Sequence, residues 1–184
     1  MRFCFNVRLT DEDYLLFNEF AAKHSPITKK TALMSKILVA VIFIIGAADI
    51  FISQGVNPVS VAAALVFVVL FIILALAFDK INGIIIKLQV RAILKKDKKP
   101  YSPESVLEFY DDLFREIAPD NKSEMNYTAI DKISVIRGRY IFIFIDSVRG
   151  YLLPFTCFDN GAEEKEFIAF LSGICNKTEF FDKI

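Results

Sequence analysis

Two apolar segments, residues 37–53 and 59–78, are separated only by Gln54, Gly55, Val56, Asn57 and Pro58. No other feature restricts the fold as strongly. From Val59 to Phe78 there is no charged residue, and Ser60 is the one polar side chain. At about 1.5 Å per residue, a helix of this length covers roughly 30 Å, the thickness of a bilayer's hydrocarbon core. The first segment, ILVAVIFIIGAADIFIS, is shorter and carries Asp49. It lengthens through Ala32, Leu33, Met34 and Ser35 if Lys36 snorkels towards the headgroups. Together the segments predict a two-pass membrane hairpin. A buried soluble hairpin is disfavoured, because so long an apolar run is hard to enclose in a chain of 184 residues. A cleaved signal peptide is disfavoured because the apolar run starts far from Met1 and a second one follows at once.

The basic residues set the expected orientation. Lys23, Lys29, Lys30 and Lys36 precede the hairpin, and Lys80, Lys87, Arg91, Lys95, Lys96, Lys98 and Lys99 follow it, whereas the connecting loop has none. By the positive-inside tendency both termini are expected in the cytoplasm, with the short loop outside the cell membrane.

A hydrophobic fraction of 54% and a mean hydropathy of +0.44 fit such a chain. The formal net charge of zero hides an asymmetry. Residues 1–99 hold 13 Lys or Arg against 7 Asp or Glu, a net of +6, and residues 100–184 hold 9 against 15, a net of −6. The acidic distal part is not expected to bind nucleic acid through its net charge. Cys4, Cys157 and Cys175 are widely spaced and form no CxxC pair, as expected of reduced, structural thiols.

The chain opens with Phe3, Phe5, Val7 and Leu9 alternating with Arg2, Cys4, Asn6 and Arg8, a strand with one wet face. Thr10 and Asp13 form a variant capping box for a helix to about Lys23, with Tyr14, Leu15, Phe17, Phe20 and Ala21 as its apolar stripe. Ser25 and Pro26 are expected to break that helix. Beyond the second apolar segment, the spacing predicts helix into the cytoplasm, with Lys80, Lys87, Arg91 and Lys95 on one arc as candidate headgroup contacts and Ile81, Ile85, Leu88 and Ala92 beside them. Ordinary topology-setting charge accounts for the same residues.

From Tyr101 onward, short alternating runs predict strands at 105–110, 113–118, 124–127, 132–137, 140–146 and 150–153. Turns are expected at Asp111-Asp112, Pro119 to Lys122, around Gly138, and from Ser147 to Gly150. The run Tyr140 to Ile145 is apolar on both faces, the pattern of a central strand. Asp159 or Asn160 caps a last helix that presents Phe167, Phe170, Leu171 and Ile174. The expected fold class is an α+β membrane protein. Residues 1–28 form a strand and amphipathic helix that packs with the distal domain, 29–99 the transmembrane hairpin with a basic juxtamembrane helix, and 100–184 an antiparallel sheet or partly open barrel with a C-terminal helix.

The order strand, LTDEDYLLFNEF, apolar hairpin, FYDDLFREI and YTAIDKISVIRGRYIFIFIDSVRGYLLPFTCF resembles the YcxB-like membrane proteins of bacteria. The resemblance implies a cytoplasmic carboxyl-terminal domain similar to bacterial pleckstrin-homology-like (PH-like) domains, and it implies no established activity. In that family the positions of Tyr127, Ile130 and Ile133 form an aromatic-xx-Ile-xx-hydrophobic turn before a strand. Here Tyr127 stands in a chain without Trp, and Pro154 is followed by Phe155 where the family has a basic residue. Both departures weaken a phosphate-gripping role for this corner.

Little in the chain suggests reaction chemistry. His24 is the only histidine, at a helix end without companions at metal-ligand spacing. Asp111-Asp112 reads as a hairpin turn and Glu163-Glu164 as a helix start. The glycines are scattered singly, so no phosphate loop exists, and the serines lack a nucleophile context. No enzyme activity, metal or cofactor is expected. Asp49 is the exception to a purely apolar hairpin. An acid within a span must meet headgroups and water near the outer end, or a neighbouring helix approached through Gly46, Ala47 and Ala48. Two functions are carried forward: a membrane-tethered binding or adaptor domain for a protein partner, and, as the alternative, a small transport or channel component that homo-oligomerises through its spans.

Overall fold

The structure, a computed structural model, describes residues 1–96, 99–147 and 149–182. Lys98 of the basic group and Val148 of the expected Ser147–Gly150 turn lie outside the described residues. The chain divides into two compact units, one of Lys23–Leu88 and one that joins Met1–Ala22 to Gln89–Ile184.

In the second of these units, β1 (Phe3–Arg8) pairs antiparallel with β2 (Glu104–Phe109). Strands β3 (Leu113–Ala118) and β4 (Asn121–Asn126) continue this sheet in the order β1-β2-β3-β4. A second sheet has the order β7-β6-β5-β8, built from β5 (Lys132–Ile136), β6 (Tyr140–Phe144), β7 (Gly150–Pro154) and β8 (Thr178–Phe181). Its first three strands are antiparallel neighbours, and β8 runs parallel to β5. Among the described residues, two separate four-stranded sheets therefore stand where one small sheet or partly open barrel was expected, and no closed barrel forms. The reason lies at Tyr127. Its 3-10 turn, Tyr127–Ala129, ends the pairing begun by β4, and β5 starts a new sheet.

Helix α1 (Asp11–His24) begins with the reciprocal capping bonds that its sequence calls for: the Asp13 amide donates to Thr10 Oγ1 at 3.2 Å, and the Thr10 amide donates to Asp13 Oδ2 at 2.8 Å. The Tyr140 hydroxyl donates to the other Asp13 oxygen at 2.7 Å. That bond ties the helix start to β6. Phe17, Phe20 and Ala21 then pack on one face of the second sheet with Ile136, Phe142, Phe144 and Leu152. The opposite face, with Ile133, Val135, Ile141, Ile143 and Leu153, joins Phe5, Val7, Leu107, Phe109 and Phe114 of the first sheet and α4 (Gly161–Ile174) in the larger core. Strand β6 is thus buried on both faces, as its uninterrupted apolar run demands. Asn160 caps α4, its Oδ1 accepting from the Ala162 and Glu163 amides at 2.9 and 3.0 Å. Gly150 opens β7 where a Cβ would collide with the Ile143 carbonyl, so the position excludes any larger residue.

One buried polar group has no counterpart. Ser134 Oγ is fully buried on the α1-facing side of β5 and has no hydrogen-bond partner among the described residues. An unsatisfied hydroxyl in an apolar setting contributes desolvation cost and no compensating bond. Ser134→Ala should therefore leave stability unchanged or raise it by up to about 1 kcal/mol in urea unfolding. A loss of that size would reveal a partner for the hydroxyl.

Lys23–Leu88 is the apolar unit. Its helices are α2 (Pro26–Gln54) and α3 (Pro58–Leu94), whose last turns belong to the other unit. Ser25 and Pro26 do more than end α1. Ser25 Oγ accepts from the Thr28 amide at 3.3 Å and Pro26 fills the first turn, so α2 starts eleven residues before Ile37. Phe43 packs edge-on against Phe67 and tilted against Phe71, both at 5.8 Å between ring centroids. Lys36 pairs with Asp79 at 2.9 Å and lies 5.4 Å from the Phe78 ring centre. The connection is closed by Asn57, whose Oδ1 accepts from the Val59 and Ser60 amides at 2.9 Å, and by Ser60 Oγ, which donates to Gly55 O at 2.8 Å. Both helices are long and apolar enough to cross a membrane, and most of their large apolar side chains are exposed.

Candidate functional site

Asp49 lies exposed on α2, about one and a half turns before the helix ends at Gln54. The small residues beside it do not all face outward. A Cβ on Gly46 would come within 2.8 Å of the Phe67 ring, so Gly46 serves the close approach of α3 within the same hairpin. Lys80, Lys87 and Arg91 are exposed on α3. Lys95 falls just beyond it, its amide bonded to Arg91 O at 3.3 Å. At about 100° per residue, Lys80 and Lys87 occupy the side opposite Phe67, Phe71 and Phe78, the residues turned towards α2. Of the four basic residues expected on one arc, Lys80, Lys87 and Arg91 fall within α3 and Lys95 belongs to the following turn.

Two polar sites in the flanking unit go beyond the sequence-based expectations, which gave the Tyr127 corner only as a turn with a weakened phosphate-gripping role. The first is an open pocket of about 460 Å³ lined by the Tyr127–Asp131 corner, Ile145 and the end of α4 through Lys177. The Tyr127 hydroxyl donates to Tyr110 O at 2.7 Å, and burial pushes its pKa up to about 12. It therefore remains a hydrogen-bond donor at neutral pH. Across the mouth, Lys177 Nζ donates to Asp131 Oδ1 at 2.9 Å, and this bond raises the Lys177 pKa. A carboxylate, an ammonium and backbone groups here offer both signs of charge to a polar ligand or a peptide.

The second site lies on the inward face of the first sheet. Glu116 of β3 shares that face with Phe114 and stands opposite Ser123 of β4 and Leu107 of β2. Tyr151 of β7 reaches the same place, its hydroxyl 3.2 Å from Ser123 Oγ and 3.7 Å from Met125 Sδ. Burial raises the Glu116 pKa, against the opposing effect of hydrogen bonds from Ser105 and Ser123. A carboxyl group that is harder to ionise in the folded state binds more protons there than in the unfolded chain. Its contribution to stability is then complete below the ordinary Glu pKa and is lost as pH rises through the folded value. Glu116→Gln should flatten the fall in stability above about pH 4.5 and raise the midpoint of thermal unfolding at pH 7. An unchanged pH profile would show that Glu116 is not the titrating group.

Elsewhere, Asp11 accepts from Lys99 Nζ at 2.7 Å and from the Tyr101 hydroxyl at 2.6 Å, which lowers its pKa, while the Tyr101 ring stacks on Tyr14 at 5.0 Å. This clamp joins the chain after α3 to the start of α1. Asp111 lies in the β2–β3 turn and pairs with Arg2 at 2.8 Å, and Glu163 and Glu164 occupy the first turn of α4. His24 is the last residue of α1. Among the described residues no group of three or more His, Cys, Asp or Glu side chains is placed to hold a metal ion.

The part of the fold with a family counterpart runs from the end of β2 into α4. Residues 109–171 match the model of the YcxB-like protein family. The YcxB-like match starts at the end of β2, takes in β3 to β7, and stops within α4. It includes Tyr127, Ile130 and Ile133, and omits β1, α1, α2, α3, β8 and the Cys175–Lys177 side of the pocket. No curated protein and no solved structure matches the chain.

Proposed function

We propose that the chain is a membrane-anchored binding module: α2 and α3 cross the bilayer as a hairpin, and the YcxB-like sheets and α4 form a PH-like domain on its cytoplasmic side that docks a protein partner. The observation that carries this is the pairing of β1 with β2. These strands flank the two apolar helices in sequence and share six paired positions, from Phe3 with Phe109 to Arg8 with Glu104. A hairpin that crosses twice returns the chain to the side on which it began, so the pairing is compatible with two crossings and not with one. The basic residues at the flanks favour the cytoplasm for that side. Antiparallel strands closed by a C-terminal helix support the PH-like assignment, although β8, parallel to β5, is an addition to it.

The pocket at the Tyr127 corner is the docking place within this scheme, since it combines a preformed concavity with an exposed ion pair. A photo-crosslinking residue at exposed Thr128 should trap a discrete species in cells, and the same residue at exposed Lys165 on α4 should not. Equal trapping from both positions, or none from either, would refute the docking role.

The exposure of Asp49 on α2 favours a second function, assembly of a transport component through the spans. In that case Asp49→Asn abolishes assembly while leaving insertion intact. Assembly that is indifferent to this change removes the support for it.

A further inference from the structure

We infer that the outward face of α3 beyond Phe78 binds anionic lipid headgroups; this rests on the membrane-anchored assignment above. One exposed stripe runs the length of the helix. Within the apolar stretch it consists of Val66, Val69, Ile73 and Leu76, and at the same angular position it continues as Lys80, Ile84, Lys87 and Arg91, all exposed. The face that meets acyl chains thus becomes basic where the hydrocarbon ends. Leu88 and Ile81, 59% and 44% exposed, border it and keep an apolar edge against the bilayer surface.

Depth orders the contributions. Taking Phe78 as the end of the hydrocarbon, Lys80 stands about 3 Å beyond it along the axis, Lys87 about 13 Å and Arg91 about 20 Å. A headgroup layer is about 5–8 Å thick and the Debye length at physiological salt is about 8 Å. Lys80 therefore sits among the headgroups, Lys87 lies within their field, and Arg91 lies beyond one Debye length from them. A charge at the surface changes association with anionic lipid by about fivefold, and the effect declines within a Debye length.

The test uses the full chain reconstituted in phosphatidylcholine vesicles with a trace of spin-labelled phosphatidylglycerol or spin-labelled phosphatidylcholine. The motionally restricted fraction of each spectrum reports lipid held at the protein. We expect restricted signal from both labels, with phosphatidylglycerol favoured by at least about fivefold. Lys80→Gln should reduce the preference most and Arg91→Gln least, and the variant with Lys80, Lys87 and Arg91 all changed to Gln should keep only the smaller preference that Lys29, Lys30 and Lys36 supply. High salt should act in the same direction. Restricted signal without a preference, or a preference undiminished by the triple change, overturns the headgroup site and leaves the anchor standing. Absence of restricted signal from either label overturns the anchor, and the site with it.

Discussion

Replacing Phe167 by alanine should lower the stability of the flanking unit by about 4 kcal/mol, a large part of what holds a small domain together. Phe167 is fully buried on α4, and its ring meets Phe3 at 5.1 Å, Phe5 and Phe109 at 4.8 Å and Phe158 at 5.7 Å between centroids. These rings come from β1, β2 and the segment between β7 and α4. Truncation leaves a cavity that three separate elements would have to move to fill, so little relaxation is available. Phe180 is the control, being 52% exposed on β8. Its change to alanine should cost less than about 1 kcal/mol. Urea unfolding followed by near-ultraviolet circular dichroism measures both, and equal effects would contradict the packing described.

Removal of Met1–Leu9 should be as damaging or more so. The deletion takes away β1, with Phe5 and Val7 almost fully buried, and exposes the paired edge of β2 along six positions. The apolar burial alone amounts to roughly 5 kcal/mol, comparable to the net stability of many domains. The remaining chain should lose its cooperative unfolding transition and its protection from protease. A truncated chain that unfolds as cooperatively as the full one would mean that β1 is dispensable and that the flanks are not one folding unit.

These two expectations depend on contacts of different legibility in the sequence. The alternation of Phe3, Phe5 and Val7 announces a strand, and Phe167, Phe170 and Leu171 announce an apolar helix face, because both signals are local. Which strand β1 would pair with is not a local property, since β2 lies beyond both apolar helices. The β3–β4 hairpin shows another limit. Asn121 to Glu124 are polar because β4 is an edge strand, and such residues read as turn, so the expected strand began three residues late. Strand β8 has only four residues, too few for a pattern of period two to stand out. In β3, Leu113, Phe114, Ile117 and Ala118 put apolar residues on both faces, so periodicity leaves the inward direction of Glu116 undecided. Only the pairing of Phe114 with Phe109 and of Glu116 with Leu107 fixes it. The apolar segments were legible because charges bound them, and the run of α3 past Asp79 because no breaker but Gly83 follows, whereas the start of α2 at Pro26, ahead of Lys29, Lys30 and Lys36, was not.

The central claim is that α2 and α3 cross a bilayer while both flanks remain on one side to build a common domain. Single cysteines at exposed Glu12, Val56 and Lys165, in a chain whose Cys4, Cys157 and Cys175 are changed to Ala and which serves as the blank, place a reporter before the hairpin, in its loop and after it. An impermeant maleimide applied to intact cells should label the chain carrying Val56→Cys, and label Glu12→Cys and Lys165→Cys only after lysis. Identical labelling at all three positions, or different behaviour at Glu12 and Lys165, would contradict the account.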